Sequence, residues 1–238
     1  MNKKHYFSLY LFCIIACVCL ILFAFFGSHA VTVISENSPV LDRRCIVIDA
    51  GHGGVDGGAV SCTGVPESQI NLEIALMLDD LCHLLGLKTK MIRQTDCSVY
   101  TEGSSIASKK ISDLKERVRI INNTENAILV SIHQNKFAQS QYSGAQVFYA
   151  QTKDSIMLAE SIQHAYKEYL NTTNNRKAKK ADGVYLMQHI ACPGVLVECG
   201  FLSNPEEEAR LRDPVYQQKL CCVIATACSR FINAEPTA

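Results

Sequence analysis

Apolar and polar positions follow two regimes along the chain. Tyr6 to Gly27 is almost continuously apolar behind the basic start M-N-K-K-H, a run about long enough to span a bilayer as a helix. From residue 44 onward, short apolar runs alternate with amphipathic stretches. C-I-V-I-D at 45–49 is brief and rich in β-branched residues, which predicts a buried strand. Glu67 to Leu85 carries apolar residues at 70, 74, 77, 78, 81 and 85. That is helical spacing, and Gly86 supplies a stop. The same reading predicts strands over 88–95, 127–133, 146–150, 184–187 and 195–199, and helices over 113–123, 154–170 and 215–231. The Ser- and Thr-rich stretch 96–112 and the polar, basic stretch 171–183 read as loops.

Strands alternating with helices predict one α/β domain over 44–234, a mostly parallel twisted sheet with helices on both faces. Sites in such sheets lie at the carboxyl ends of the strands. No internal repeat and no second domain is visible. Residues 1–30 read as an N-terminal membrane anchor or a signal peptide, and 31–43 as a linker. Lysines before the apolar run favour an inside-to-outside orientation. S-H-A at 28–30 suits a signal peptidase, and I-I-A-C at 14–17 resembles a lipobox. All three readings export the remainder, and an uncleaved segment would contact the membrane.

Composition adds two constraints. Formal charge is zero over 238 residues, so nothing global points to nucleic acid. Twelve cysteines would suggest disulfides in an exported protein. However, Cys13, Cys17 and Cys19 lie in the apolar segment. The nine others are odd in number and scattered, and Cys45, Cys82, Cys199 and Cys221 occupy apolar positions of predicted elements. Buried free thiols behave as small hydrophobes, and they fit a reducing setting. No C-x-x-C pair is present to build a thiolate zinc site.

The chemistry concentrates where strands end. The loop A-G-H-G-G-V-D-G-G at 50–58 fails the G-x-G-x-x-G frame by one residue, and no Walker pattern occurs. Asp49 and Asp56 would repel a phosphate. His52 follows the first strand and His133 ends another, while Glu67 opens the helix after the loop. Two imidazoles and a carboxylate suit a catalytic zinc set with one position open for water. Glu198 ends a further apolar strand, where a carboxylate is costly unless paired or working. Each residue alone has an ordinary alternative: a structural histidine, a helix-start acid, a buried salt bridge. Asp49 or Asp56 could orient a ligand histidine or merely cap the loop. Asn135 could meet substrate or finish a turn. Arg93 and Arg117 read as structural partners of acids, and Arg176, Lys177, Lys179 and Lys180 as a basic loop.

Together these motifs resemble the bacterial zinc-dependent N-acetylmuramoyl-L-alanine amidases. The matching stretches are V-I-D-A-G-H-G-G-V-D-G-G-A at 47–59, E-S-Q-I-N-L at 67–72, R-Q-T-D at 93–96, L-K-E-R at 114–117, S-I-H-Q-N at 131–135, G-A-Q-V-F-Y at 144–149 and V-E-C-G-F-L-S-N-P-E-E at 197–207. The resemblance implies peptidoglycan as substrate, with cleavage between the lactyl group of muramic acid and L-alanine. It implies one zinc ion per chain on His52, Glu67 and His133, and Glu198 as the catalytic glutamate. Asn135, Asp56 and Arg176 are further candidates near substrate or ligands. The short build behind a hydrophobic segment is similar to spore-cortex, germination-specific members; an activator protein is a possible partner. A vegetative amidase, a zinc peptidase on stem peptides and a non-catalytic wall-binding protein are the alternatives. Gln134 and Cys199 depart from the family pattern beside the site, which predicts altered pocket shape or substrate preference.

Overall fold

A computed structural model describes residues 44–234. The predicted anchor or signal segment and the linker lie outside the described residues. Among the described residues, no helix is long and apolar enough to cross a membrane. The elements in chain order are β1 (Cys45–Ala50), α1 (Glu67–Leu84), β2 (Lys88–Met91), α2 (Ile106–Asn122), β3 (Ala127–Asn135), β4 (Gln146–Tyr149), α3 (Ser155–Tyr169), β5 (Lys179–Lys180), α4 (Tyr185–His189), β6 (Gly194–Phe201), α5 (Pro205–Leu211) and α6 (Pro214–Asn233).

The strands form a six-stranded sheet in the order β2-β1-β3-β6-β4-β5. β2, β1, β3 and β6 run parallel, while β4 is antiparallel to β6. The three central strands are covered on both faces, which is why they read as unbroken apolar runs. Alternation sorts their side chains. Ile46, Ile48, Ile128, Val130, Ile132, Val195 and Val197 pack with α1, α3 and α6. Val47, Leu129 and Leu196 pack on the opposite face with residues of α2 and α4. Continuing that second set toward the carboxyl ends of the strands reaches Asp49, Ser131, His133 and Glu198. The pleat therefore carries polar side chains to one rim, above an apolar floor.

Local expectations differ from the structure in several places, beginning with β5, which lies inside the stretch 171–183 read as a loop. α2 begins at Ile106, seven residues earlier than its periodicity indicated. Ser105 and Ser108 close a capping box there, and Ile106 and Ile111 remain exposed, so the first turns carry no apolar stripe to read. The run 184–187 is helical rather than extended, forming α4; so short an apolar segment has no period to decide it. β2 stops at Met91 instead of residue 95. α5 was not anticipated, although Asn204 caps it by accepting from the Glu206 and Glu207 N–H groups and Pro205 stands in its first turn, a recognisable start signal.

All nine cysteines of the described residues are free. Cys45, Cys82, Cys199, Cys221 and Cys228 are buried, and burial pushes the Cys82 and Cys199 thiols up to about 12. In the native protein a thiol-alkylating reagent should modify Cys62, Cys97 and Cys222, which are exposed, and spare those five until denaturant is added. Peptide mapping by mass spectrometry reads this directly; native labelling of Cys199 or Cys228 would contradict the packing.

Candidate metal centre

His52 sits just beyond β1 in the left-handed region, at φ 61°. A bulky residue adopts that conformation only when its surroundings hold it. Two buried arginines do so. Arg117, from α2, pairs with Asp49 and donates to the Ala50 carbonyl at 3.0 Å and the His52 carbonyl at 2.7 Å. Its Nε also binds Asp113 at 2.6 Å. Arg93, after β2, donates to the carbonyls of Ala50, Gly51, Ser68 and Thr95 at 2.8–3.0 Å. Arg117 is thus the acid partner the sequence suggested. Arg93 is not: its hydrogen-bond acceptors are main-chain carbonyls, two of them, Ala50 and Gly51, where β1 ends and the others on Ser68 and Thr95.

Glu67, at the start of α1, faces both histidines. Its Oε1 accepts from the backbone N–H of Gln134 at 3.1 Å and Asn71 Nδ2 at 3.2 Å, and lies 3.0 Å from His133 Nδ1. Its Oε2 accepts from the Ala59 N–H at 3.0 Å and lies 3.3 Å from His52 Nε2. The two imidazole rings meet edge to face with centroids 5.0 Å apart. One donor atom from each of His52, Glu67 and His133 lies within 4.8 Å of the others. Burial alone would raise the Glu67 pKa, but hydrogen bonds and charge from both histidines hold it far below the carboxylate range. For His52, burial opposes the charged form, yet Glu67 and Asp56 outweigh it and raise its pKa.

Asp56 Oδ2 lies 3.0 Å from His52 Nδ1 and 3.1 Å from Lys110 Nζ, so it orients the first histidine. Asp49 makes no hydrogen bond to His52 or His133. It accepts from Ser131 Oγ at 2.6 Å and from Arg117, tying β1 to β3 and α2. Two glycines leave space for the donors. A Cβ at Gly58 would stand 2.6 Å from His52 Cδ2 and 2.7 Å from Glu67 Oε2, and one at Gly51 would overlap the His133 ring.

Glu198 completes the rim. β3 and β6 pair His133 directly with Glu198. Glu198 Oε2 is buried and has no hydrogen-bond partner among the described residues. Burial lifts its pKa to about 7, with His133 and His52 pulling it down and Glu67 pushing it up. A buried carboxylate oxygen without a partner beside a His–Glu–His cluster fits a site built for a cation and a reacting water. The cavity next to this cluster measures about 190 Å³ and is lined by His52, Asp56, Lys110, His133, Tyr185 and Leu196 among others.

The remaining candidates fall outside the cluster. Asn135 ends β3, where its carbonyl accepts from the Leu202 N–H at 2.8 Å. Arg176 lies beyond Glu198, on Gln146 and Phe201. Gln134 and Cys199 point to the opposite face: Gln134 Nε2 donates to Asn71 at 3.3 Å and Cys199 packs in the core with α1, α3 and α6. Gln134 thereby braces the Asn71 that binds Glu67, and neither side chain lies on the face that carries His133 and Glu198. Asn71 was missed in the sequence, although its place four residues after Glu67 put it on the same helix face.

The family model described as N-acetylmuramoyl-L-alanine amidase matches residues 46–230. The germination-specific N-acetylmuramoyl-L-alanine amidase of Bacillus subtilis (strain 168) is 38% identical over 197 residues, covering 82% of each chain. Among solved structures, the CwlD amidase from Clostridioides difficile, in complex with the GerS lipoprotein, aligns with a TM-score of 0.77 at 39% identity, covering 81% of this chain and 100% of that one. An N-acetylmuramoyl-L-alanine amidase from Clostridium difficile 630 aligns with a TM-score of 0.72 at 26% identity, covering 81% and 98%.

The buried Arg117–Asp49 pair makes its removal expensive. Arg117→Ala should lose about 3–5 kcal/mol of stability, because Asp49 is left buried and charged without its counter-ion; urea denaturation measures it. Burial raises the Asp49 pKa, but Arg117 and Ser131 more than reverse this, so it lies below its ordinary value. Its stabilising share is complete above the unfolded carboxyl's pKa of about 4 and is lost as pH falls through the lower folded value. Asp49→Asn should accordingly flatten the acid limb of the stability profile; an unchanged acid limb would refute the coupling.

Proposed function

The chain belongs to the N-acetylmuramoyl-L-alanine amidase family, and on that premise we propose that His52, Glu67 and His133 hold one zinc ion while Glu198 moves the proton. The observation that carries this reading is the buried, unpartnered Glu198 Oε2, set on the strand beside His133. Two imidazoles and one carboxylate are a donor set that zinc uses in catalytic sites with an open position. Bound there, zinc supplies Lewis acidity to a carbonyl oxygen and makes water more acidic.

The chain's own groups do the rest. Glu198 accepts a proton from the attacking water and returns it to the departing nitrogen of L-alanine. Burial disfavours the charge of Glu198, which keeps this carboxyl receptive to the proton it takes and returns. The bond broken is the amide between the lactyl carbonyl of muramic acid and L-alanine. Asp56 keeps the His52 ring oriented, and the Arg117 and Arg93 contacts keep its backbone from relaxing.

Peptidoglycan places the reaction outside the cytoplasm, at the cell wall or the spore cortex. The similarity to a germination-specific relative over most of both chains favours cortex maturation. The complex formed by CwlD with the GerS lipoprotein supports an accessory protein as activator of this chain as well.

With the full-length, zinc-loaded protein and its activator where required, purified peptidoglycan should release stems that begin with a free L-alanine amine. Glu198→Gln should keep the metal and lose about 10²–10⁴-fold in rate, whereas His52→Ala or His133→Ala should lose the metal itself. Elemental analysis beside mass spectrometry of the released ends separates the two. Full activity of zinc-bound Glu198→Gln would overturn the assignment, and release of D-alanine instead would mean a peptidase. Deleting the gene should block germination and leave growth normal; impaired daughter-cell separation would point to a vegetative amidase.

A further inference from the structure

Beyond Glu198, β6 runs on to Phe201, which pairs in register with Asn135. Phe201 is buried, and two exposed rings stand on it. Phe137 lies 5.3 Å from it and Tyr142 6.3 Å, and these two meet edge to face at 5.1 Å. Phe137 is 45% exposed and Tyr142 40%. The platform is fixed from beneath: the buried Glu207 carboxylate accepts from the Gly144 and Phe201 N–H groups, each at 2.9 Å.

Arg176 closes the arrangement. Its guanidinium lies 4.8 Å from the Phe201 ring centroid. Nε donates to the Ser143 carbonyl at 3.0 Å and Nη1 to Gln146 Oε1 at 3.2 Å. Gln146 is the cross-strand partner of Glu198. Among the described residues Arg176 has no carboxylate partner, and Nη2 has no acceptor. It is a half-buried, oriented cation with no ion-pair partner among the described residues, held on the cross-strand partner of the proposed general base.

We propose that Arg176, Phe137 and Tyr142 form the subsite for the stem peptide, with Arg176 binding a stem carboxylate. This rests on the amidase reading above. An oriented guanidinium recognises a carboxylate, often through paired hydrogen bonds. The stem leaves from the amine side of the cut and carries free carboxylates, whereas in the intact muramoyl-peptide the lactyl carboxyl of the glycan is tied up in the amide and offers the cation no charge. The reach agrees. Neighbouring strands lie about 4.8 Å apart, so a group resting on Gln146 stands about 5–10 Å from Glu198. An extended peptide advances about 3.3–3.6 Å per residue, which puts the contacted carboxylate on the second or third stem residue. Phe137 and Tyr142 offer an apolar surface to the intervening chain.

The test uses the full-length, zinc-loaded protein, with its activator where required, on two soluble muramoyl-peptides that differ only in whether the stem carboxylates are free or amidated. The free form should be cleaved with a roughly tenfold lower KM and similar kcat. Arg176→Gln should erase that preference, Arg176→Lys should keep part of it, and Phe137→Ala with Tyr142→Ala should raise KM for both forms. Equal cleavage of both forms by the unmutated protein would overturn the subsite alone. So would an Arg176→Lys protein, folded by its melting curve, that retains the full preference together with an Arg176→Gln protein that does so. Competition by an N-acetylglucosamine oligosaccharide, which has no carboxylate, that depends on Arg176 would overturn it in favour of glycan binding. Cleavage of neither form would overturn the amidase reading and the subsite together.

Discussion

The site depends on two guanidinium groups closing the end of one strand. Where β1 stops, the carbonyls of Ala50, Gly51 and His52 point into the protein with no neighbouring strand to satisfy them. Buried main-chain acceptors without partners are costly. Arg93 and Arg117 fill that need together, and Asp49 and Asp113 offset the charge of Arg117. The consequence is directional. His52 is kept in a left-handed conformation that it would abandon in a free loop, and its ring is thereby turned toward Glu67 and His133. A metal-capable cluster on a glycine-rich loop needs such a clamp, because the glycines that make room for the donors also loosen the backbone.

The second requirement is register. The pleat alternates side chains between two faces, so a one-residue slip would send His133 or Glu198 to the wrong side. Pairing of Leu129 with Gly194 through His133 with Glu198 holds that register. It breaks immediately afterwards, where Asn135 meets Phe201. The extra residue on β6 bends the strand end away from the regular ladder at the place where the Phe201 platform begins. One irregularity therefore separates the proposed chemistry from the surface beside it.

The sheet, its helices on both faces and the His52–Glu67–His133–Glu198 constellation were legible because each rests on short-range pattern. Apolar runs mark central strands, and polar residues at their tips stand out against them. The antiparallel direction of β4 was not legible, since strand direction leaves no mark in a four-residue run. The early start of α2 was hidden because its first turns face solvent and are held by a serine capping box rather than by burial. Arg93 was misread because a buried arginine is expected beside acids, and main-chain acceptors are invisible in sequence. Gln134 and Cys199 were placed beside the site by adjacency alone; alternation along β3 and β6 sends each to the opposite face from its neighbour.

The carboxylates at this rim are under opposing electrostatic demands, and their positions explain how both are met. Glu67 is tied by two histidines, an amide side chain and two backbone N–H groups, so it stays ionised and available as a donor. Glu198 lies on β6, paired with His133 of β3, with its Oε2 deprived of partners and Glu67's charge disfavouring its own. A cation held by the cluster would draw the Glu198 pKa down again. The apolar floor and the absence of hydrogen bonds to Oε2 act against that pull. A general base beside a divalent ion must be desolvated to keep a useful affinity for protons. The same buried, unpartnered oxygen that would be a defect in a structural carboxylate is what would let Glu198, in its proposed role, take a proton and give it back.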